Sequence, residues 1–271
     1  MSAAYAISDT ETMIGRCLRR SVRDPEAFFT ALALPVVLML LFVYVFGGAF
    51  TGGLAGHATG SYATGGYADY VVPGLIVLCA GFGAGTTAVA VATDMSNGIV
   101  DRFRSLPIPA WTVLAGHIAA SLLRNLLATG MVILVGLAVG WRPTGNAADW
   151  AAAIAMIVLF ILALSWLAAC FGLLVSSPEA ANGASFGLMF IPYLSTAFVP
   201  AATMTRVLRP IAANQPFTPV LETMRGLWMG HTSTGVSVGH EALLATVYFA
   251  AITAVCATAA TALFRHHSTT R

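Results

Sequence analysis

The residues of this chain that could carry chemistry are few and widely spaced. Its six His and four Cys include no C-x-x-C pair and no H-E-x-x-H spacing, so we expect ordinary surface or interface histidines and no metal site. All thirteen basic residues are Arg, and a standard P-loop needs a Lys to reach the nucleotide phosphates. Any work driven by ATP would therefore need another subunit.

Long uncharged windows place the chain in a membrane. Between Asp69 and Asp94 lie 24 consecutive uncharged residues, in a sequence that is 58% hydrophobic and 9% charged. A bilayer's hydrocarbon core of about 30 Å takes roughly 20 apolar residues in a helix. The windows predict an all-α, polytopic membrane protein that forms one domain over residues 1–271. Its six predicted spans are residues 28–50, 70–93, 111–140, 150–175, 180–200 and 242–264.

The distribution of Arg predicts the orientation. Six spans put both termini on one side, and Arg is enriched in cytoplasmic loops, which favours cytosolic termini in the cell membrane. The Arg residues on that side are Arg16, Arg19, Arg20, Arg23, Arg102, Arg104, Arg265 and Arg271, against Arg142, Arg206, Arg209 and Arg225 opposite. The aromatic residues expected at the external headgroups are Tyr62, Tyr67, Tyr70, Trp141, Trp150 and Trp228. A net charge of +2 is too weak and too dispersed to indicate a nucleic-acid partner.

The N-terminal segment 8–24 predicts a short interfacial helix. Ser8 and Glu11 have the spacing of a capping box, and Ile14, Leu18 and Val22 recur at helical spacing beside four Arg. Such a basic amphipathic helix lies among the headgroups and attracts anionic lipid. It would act either as an elbow that steadies the bundle against a partner or as a plain topological anchor.

The cytosolic segment 94–110, between the second and third spans, predicts a docking helix. Ser96 or Asn97 can cap it, and Pro107 and Pro109 end it. A short rigid helix that presents the Phe103 ring beside two Arg suits a cleft on a cytosolic protein, although an ordinary inside loop also carries Arg. The residues predicted to couple to such a partner are Asn97, Gly98, Ile99, Asp101, Arg102, Phe103, Arg104, Ser105, Leu106 and Pro107.

Arg124 and Asn125 are unusual because they lie about halfway along the apolar window 111–140. An Arg at the centre of a helix costs about 2.5 to 3.5 kcal/mol on insertion scales, which the apolar residues of the window offset. Arg124 would either face a polar cavity or partner, or extend its side chain towards the inner interface.

The segment 201–239 differs from the other loops. Pro219 can open a helix in which Glu222 and Arg225 pair at i, i+3 beside an apolar stripe. This helix would either re-enter the outer leaflet beside a translocation path or lie flat on the external surface. The residues predicted for a substrate pathway or gate are Arg124, Asn125, Asn214, Pro216, Pro219, Glu222 and Arg225.

At these segments the chain resembles the ABC-2-type transporter permeases, specifically the membrane subunit of daunorubicin-resistance-type ABC exporters. Residues 97–108, Asn-Gly-Ile-Val-Asp-Arg-Phe-Arg-Ser-Leu-Pro-Ile, are similar to that family's coupling-helix motif. Residues 140–142 resemble its third-span exit, and residues 214–219 with 224–227 resemble its external motif before the last span. The order and spacing of these motifs extend the resemblance over essentially the whole chain.

The resemblance implies a permease that works with a separate ATP-binding cassette ATPase, so no catalytic residue and no bound cofactor are expected on this chain. Two permeases, identical or related, and two ATPases would form an exporter of hydrophobic drug-like or lipidic substrates, with ATP and Mg bound by the ATPase. By position, residues 97–107 would couple to the ATPase, and the segment before residue 28 would be the elbow helix. Residues 201–230 would form short re-entrant helices near the external gate.

Three other functions are weighed against this one. A permease for polysaccharide or glycolipid also has six spans, and aromatic residues such as Phe160, Trp166 and Phe171 leave it open. A proton-driven transporter would need carboxylates inside the membrane. The carboxylates Asp69, Asp94, Asp149, Glu179 and Glu241 are all expected at span ends, which argues against that class. A membrane enzyme would need a buried cluster of His, Asp or Glu, which the sequence does not predict.

Overall fold

The computed structural model of the chain describes residues 25–47, 67–97, 110–175 and 177–266, together with Thr12, Ile14, Gly15 and Cys17. All regular structure in these ranges is helical, as the sequence predicts. The predicted segment 8–24 lies almost entirely outside them. The helices are α1 Pro25–Leu40, α2 Tyr67–Phe82, α3 Ala84–Ser96, α4 Ala110–Val139, α5 Ala147–Leu174, α6 Pro178–Phe190, α7 Leu208–Asn214, α8 Phe217–Met229 and α9 Val238–His266.

Four helical stretches are long and apolar enough to cross a membrane. They are Tyr67–Ser96, Thr112–Val139, Ala147–Leu174 and Val238–Phe264, and a shorter apolar helix covers Leu32–Val45. The four correspond to the second, third, fourth and sixth predicted spans, and the shorter helix to the first. This helix continues from α1 through a π-helical turn, Leu41–Val45. The count of six spans stays a prediction.

The fifth predicted span, residues 180–200, is not one continuous helix. α6 has 13 residues, about 20 Å of helix, and is followed by the 3-10 turn Ile191–Leu194. Pro192 provides a reason for the change, because it lacks the N–H that the α-helix would need there. At the other end the Ser177 hydroxyl caps α6. The backbone N–H of Glu179 and then that hydroxyl lower the pKa of the Glu179 carboxyl, which is exposed at the helix start.

The second predicted span consists of two helices in line. α2 ends at Phe82, α3 begins at Ala84, and Gly83 lies between them. A Cβ atom on Gly83 would overlap the side-chain amide of Asn125 on α4. Glycine at this position therefore lets the Asn125 amide lie against the backbone where the two helices meet.

The buried apolar residues form two clusters. The larger one includes Tyr70, Leu75, Phe160, Trp228 and Phe249, and joins α2, α5, α8 and α9. The smaller one joins the last part of α3 to the beginning of α4 and to the later parts of α5 and α9. Its members are Val91, Val113, Leu114, Ile118, Ala169, Cys170, Leu173, Cys256, Ala260 and Phe264. We call the end of the bundle with the smaller cluster the His117 end, and the opposite end, where Trp141, Trp150 and Trp228 meet, the Trp end.

Small residues let the helix backbones approach closely. A Cβ on Gly172 of α5 would lie 2.5 Å from the carbonyl oxygen of Ala88 on α3. A Cβ on Gly74 of α2 would lie 2.6 Å from the carbonyl oxygen of Ala197. Helices in lipid associate mainly through such packing, because lipid tails are as apolar as the helix surfaces. Contact between α3 and α5 therefore depends on Gly172.

The substitution Gly172→Ala should destabilise the bundle. Its methyl group meets backbone atoms that cannot rotate away, and overpacking of this kind costs about 1 to 3 kcal/mol. We expect a lower midpoint of thermal unfolding in detergent. Gly130→Ala is the matched control, because Gly130 is helical in α4 and a Cβ there meets nothing within 4 Å. Equal unfolding midpoints for the two variants would contradict the proposed contact.

Candidate functional site

The Arg225 side chain on α8 is fully buried and is hydrogen-bonded through all three of its nitrogens. Nε donates to the Tyr70 carbonyl at 3.2 Å, and Nη2 donates to the carbonyls of Thr196 and Ala197 at 2.7 and 3.1 Å. Nη1 donates to Glu222 Oε1 at 2.7 Å and to the Thr196 hydroxyl at 3.5 Å. The guanidinium carbon also lies 3.8 Å from the centre of the Tyr70 ring, within the range of a cation–π contact. One cation thus holds α8 to α2 and to residues 196–197.

Glu222 supplies the negative charge of the same cluster and is also completely buried. Besides Arg225, its Oε1 accepts hydrogen bonds from the hydroxyls of Thr196 at 3.2 Å and Ser233 at 2.6 Å. Its Oε2 accepts one from the Ser233 backbone N–H at 2.6 Å. A buried ion pair is tolerated when its remaining donors and acceptors are satisfied in this way. We call Tyr70, Thr196, Glu222, Arg225 and Ser233 the Arg225 cluster.

Local backbone features bring Ser233 back to Glu222. α8 ends at Gly230, which has a φ of +77°, and the Gly230 N–H bonds to the Gly226 carbonyl. Glycine adopts this left-handed conformation without a Cβ penalty, and it commonly ends helices. The chain then reverses direction, so that residues 231–237 run back past α8 before α9 begins.

The residues of α8 are buried on nearly every side. Eleven of them, from Phe217 to Gly226 together with Trp228, are buried. A helix lying flat on a lipid surface would expose one full face, so this burial argues against the flat placement considered from the sequence. The helix has 13 residues, about 20 Å, which is too short to span the hydrocarbon core.

Three tryptophans pack together at the Trp end. The Trp228 ring centre lies 5.2 Å from that of Trp141 and 5.4 Å from that of Trp150. The Thr144 backbone N–H donates to the Trp228 carbonyl at 2.7 Å, which ties the turn between α4 and α5 to α8. Three of the six aromatic residues predicted near the external headgroups are thus close together. That this end of the bundle is external stays a prediction.

The predicted environment of several aromatic residues is wrong. Trp141 and Trp228 are fully buried in protein and do not face headgroups. The Tyr67 and Tyr70 hydroxyls donate to the carbonyls of Phe198 and Thr196, at 3.1 and 2.6 Å. The physical reason is that the loop after α6 and the short helix α8 cover these rings. Predicting each span separately does not reveal such contacts between segments. Tyr62 lies outside the described residues.

Arg124 and Asn125 belong to a polar strip inside the bundle. Arg124 Nη2 donates to the Thr86 hydroxyl on α3 at 2.6 Å. Asn125 Nδ2 donates to the Ser121 hydroxyl at 3.2 Å, and Ser121 is hydrogen-bonded to Ser165 on α5 at 2.8 Å. The strip therefore connects α3, α4 and α5. Arg124 therefore contacts a neighbouring helix. A role in a substrate pathway and a side chain extended towards the inner interface both stay predictions.

A second buried pair, Asp94 and His117, was missed by the sequence analysis. Asp94 Oδ2 and His117 Nε2 are 3.2 Å apart, and the two residues are 1% and 8% exposed. The expectation that His117 is an ordinary surface or interface histidine is therefore wrong, because α3 and α4 pack side by side and enclose it. The one feature of the sequence that could have indicated this pair is that the two residues lie on either side of the predicted coupling segment.

The other predicted residues are distributed as follows. Asn97 ends α3, with its N–H bonded to the Thr93 carbonyl at 3.0 Å. Asn214 is exposed at the end of α7, and its side chain bonds to the Pro210 carbonyl. Pro216 precedes α8, and Pro219 lies in its first turn. The remaining coupling residues, from Gly98 to Pro107, lie outside the described residues. Of the predicted gate residues, the structure brings Glu222 and Arg225 together and leaves Asn214 apart.

Comparison with known proteins identifies the family. The model of the ABC-2 type transporter family matches residues 9–229. The chain belongs to this family. It is 28% identical over 228 residues to the daunorubicin resistance ABC transporter permease protein DrrB1 of Streptomyces coeruleorubidus, covering 84% of this chain and 77% of that protein. It is 24% identical over 268 residues to the probable doxorubicin resistance ABC transporter permease protein DrrC of Mycobacterium tuberculosis, covering 99% and 92%.

The resemblance stated from the sequence is thereby confirmed. The chain is an ABC-2 permease with membrane-spanning helices, and it is similar to drug-resistance transporter permeases. The matched region ends at the last residue of α8, so it includes both buried residues of the Glu222–Arg225 pair. In this permease the Arg225 cluster and the polar strip are the candidate functional site at the Trp end and in the interior of the bundle.

The variant Arg225→Met should be strongly destabilised. It leaves the Glu222 carboxylate buried without its cation, and breaking a buried pair in this way costs about 3 to 5 kcal/mol. The double variant Glu222→Met with Arg225→Met removes both charges and should unfold at a temperature closer to that of the native permease. Arg206→Met is the control because Arg206 is exposed. The ion-pair interpretation fails if Arg225→Met unfolds at the same temperature as Arg206→Met.

Proposed function

We propose that this chain is the transmembrane permease subunit of an ATP-binding cassette exporter. It would move hydrophobic drug-like or lipidic molecules out of the cell, using ATP hydrolysed by a separate ATPase subunit. The observation that carries the proposal is the family match over residues 9–229, in a chain whose relatives are named as drug-resistance transporter permeases. The long apolar helices of the described residues are consistent with such a subunit.

The partner in this proposal is a cytosolic cassette ATPase present in two copies. It would bind ATP and Mg, because the chain has no Lys for a P-loop. A second permease, identical or related, would complete the exporter in the cell membrane, with both termini of each permease cytosolic. The segment from Asn97 to Pro107 would dock on the ATPase. The helices on either side of this segment, α3 and α4, contact each other at the His117 end of the bundle. This contact supports the proposal that the segment extends from that end.

The proposed mechanism is a rigid-body movement of two bundles. Closure of the ATPase dimer would displace the coupling segments, and the permeases would rock so that the substrate leaves from the cavity or from the inner leaflet. α8 would be a re-entrant helix near the external gate, since a short helix at membrane depth is tolerated where protein buries it. Glu222 and Arg225 satisfy each other, so we assign them to holding this gate segment in place, not to binding substrate.

The other functions are supported less well. Phe160 is one of the aromatic residues that left a carbohydrate exporter open, and its ring packs on Phe217 and Phe249 in the core. For a proton-driven transporter, Asp94 lies in the last turn of α3, at the end of a span as expected, and its side chain is buried, as is that of Glu222 on α8. Each of them contacts a basic side chain, which suits a structural pair better than a carboxyl free to exchange protons.

Co-purification and transport test this proposal. The full-length permease and the cassette ATPase that co-purifies with it are placed in proteoliposomes, and ATP-dependent movement of daunorubicin is measured. Phe103→Ala and Arg102→Glu should each weaken ATPase binding about tenfold or more, as expected for an aromatic anchor and a charge at the centre of an interface.

The control for this experiment is Arg206→Glu, an equal change of charge in an exposed residue of the segment between α6 and α7. It should leave ATPase binding unchanged. The proposal would be wrong if daunorubicin moved in response to a pH gradient without any ATPase, or if the Phe103 and Arg102 variants bound the ATPase as the native permease does.

A further inference from the structure

The Asp94–His117 pair joins the two helices that enter and leave the coupling segment. Asp94 is in the last turn of α3, three residues before Asn97. His117 is in the second turn of α4, seven residues or about 10 Å of helix after Ala110. Their side chains meet at 3.2 Å. The coupling segment therefore lies, in sequence, between the two residues of this pair.

The pair is built into the apolar cluster at the His117 end. Val91, one turn before Asp94, and Leu114 and Ile118, which flank His117, all belong to that cluster. The same cluster contains Leu173 of α5 and Phe264 of α9. Movement of the joined α3 and α4 would therefore be transmitted to α5 and α9 through direct packing.

A buried carboxylate–imidazole pair does not by itself add much stability at this position. Well-packed apolar residues of similar volume are often as stabilising as a buried ion pair, because they carry no desolvation penalty. The pair instead fixes how the two helices are aligned, because the carboxylate oxygen and the imidazole nitrogen hold one turn of α3 against one turn of α4. An apolar contact would let the two helices slide past each other more easily.

We propose that Asp94 and His117 form a clamp that makes the two helices beside the coupling segment move as one body, so that displacement of the segment reaches the transmembrane bundle. This role rests on the proposed function, in which residues 97–107 dock on the ATPase. Both are positioning residues, because neither touches ATP or substrate in this mechanism. Without the clamp, the ATPase would still bind and hydrolyse ATP, but fewer substrate molecules would be transported per ATP hydrolysed.

The coupling test uses full-length permease with its co-purified ATPase in proteoliposomes. Bound ATPase, ATP hydrolysis and daunorubicin transport are measured together. Asp94→Ala should lower daunorubicin moved per ATP by about fivefold with ATPase binding unchanged. Asp94→Asn, which keeps the size of the side chain, tests the charge if Asp94→Ala folds poorly, and should also lower the ratio. The exchange Asp94→His with His117→Asp should restore the ratio to within about twofold of native.

A distance measurement tests the clamp without the ATPase. Spin labels are placed on Asn97→Cys and Ala110→Cys in a permease whose four native Cys are replaced by Ala. The distribution of distances between the labels should be narrow with the native pair, broader with Asp94→Asn, and narrow again in the exchanged variant. Asp149→Asn, which changes a carboxylate at the start of α5, is the matched control and should leave both measurements unchanged.

The outcomes separate the clamp from the proposed function. If the native complex transports daunorubicin with ATP, but the Asp94 variants match it in transport per ATP and in the distance distribution, the clamp is overturned alone. Failure of the exchanged variant to restore either measurement also overturns it. If the native permease binds no ATPase, the proposed function falls, and the clamp's role in coupling falls with it.

Discussion

A charged side chain inside a bilayer must find its partners within the protein, and this constraint accounts for the arrangement of the polar residues described above. Arg225 meets a carboxylate, three backbone carbonyls, a hydroxyl and an aromatic ring. Asp94 meets His117, and Arg124 meets Thr86. Each of these contacts joins different parts of the chain, so satisfying a buried charge also fixes how neighbouring helices pack.

The Glu222–Arg225 and Asp94–His117 pairs lie at opposite ends of the bundle and have different structural consequences. The Arg225 cluster joins α8 to the start of α2, to the loop after α6 and to the loop before α9. Because α8 is too short to span, these bonds and the tryptophan contacts hold it where it is. Within the described residues, the Asp94–His117 pair joins α3 to α4, the two helices beside the coupling segment. At the Trp end, the buried charges therefore hold a short helix in place. At the His117 end, the pair holds together the two helices between which the coupling segment runs.

Much of the fold follows from the sequence because the membrane imposes a simple rule on length and polarity. The uncharged windows predict the positions of α2 with α3, α4, α5 and α9 to within a few residues. The window 180–200 is the exception, since composition does not show that the α-helix gives way to a 3-10 turn near Pro192. The break at Gly83 likewise depends on Asn125, about 40 residues away in sequence, and local patterns carry no information on that contact.

The candidate site was predictable only where its residues are neighbours in sequence. Glu222 and Arg225 pair at i, i+3 in one helix, so their contact follows from helical spacing. Their further bonds to Tyr70, Thr196 and Ser233 depend on tertiary packing. His117 escaped notice because a single His in an apolar helix has no local signature, and its partner lies on another helix. The family resemblance was carried by short motifs in order, which need no tertiary contact to be recognised.

The side of the membrane that holds the coupling segment tests the central claim most directly, because a docking segment must face the cytosol to reach an ATPase. The measurement is labelling of single Cys variants with a membrane-impermeant thiol reagent, in sealed membrane vesicles of known orientation and with the native Cys replaced. We expect Ser105→Cys to react only from the cytosolic side and Thr205→Cys, an exposed position in the segment before α7, only from the external side. Labelling of Ser105→Cys from the external side would contradict the claim.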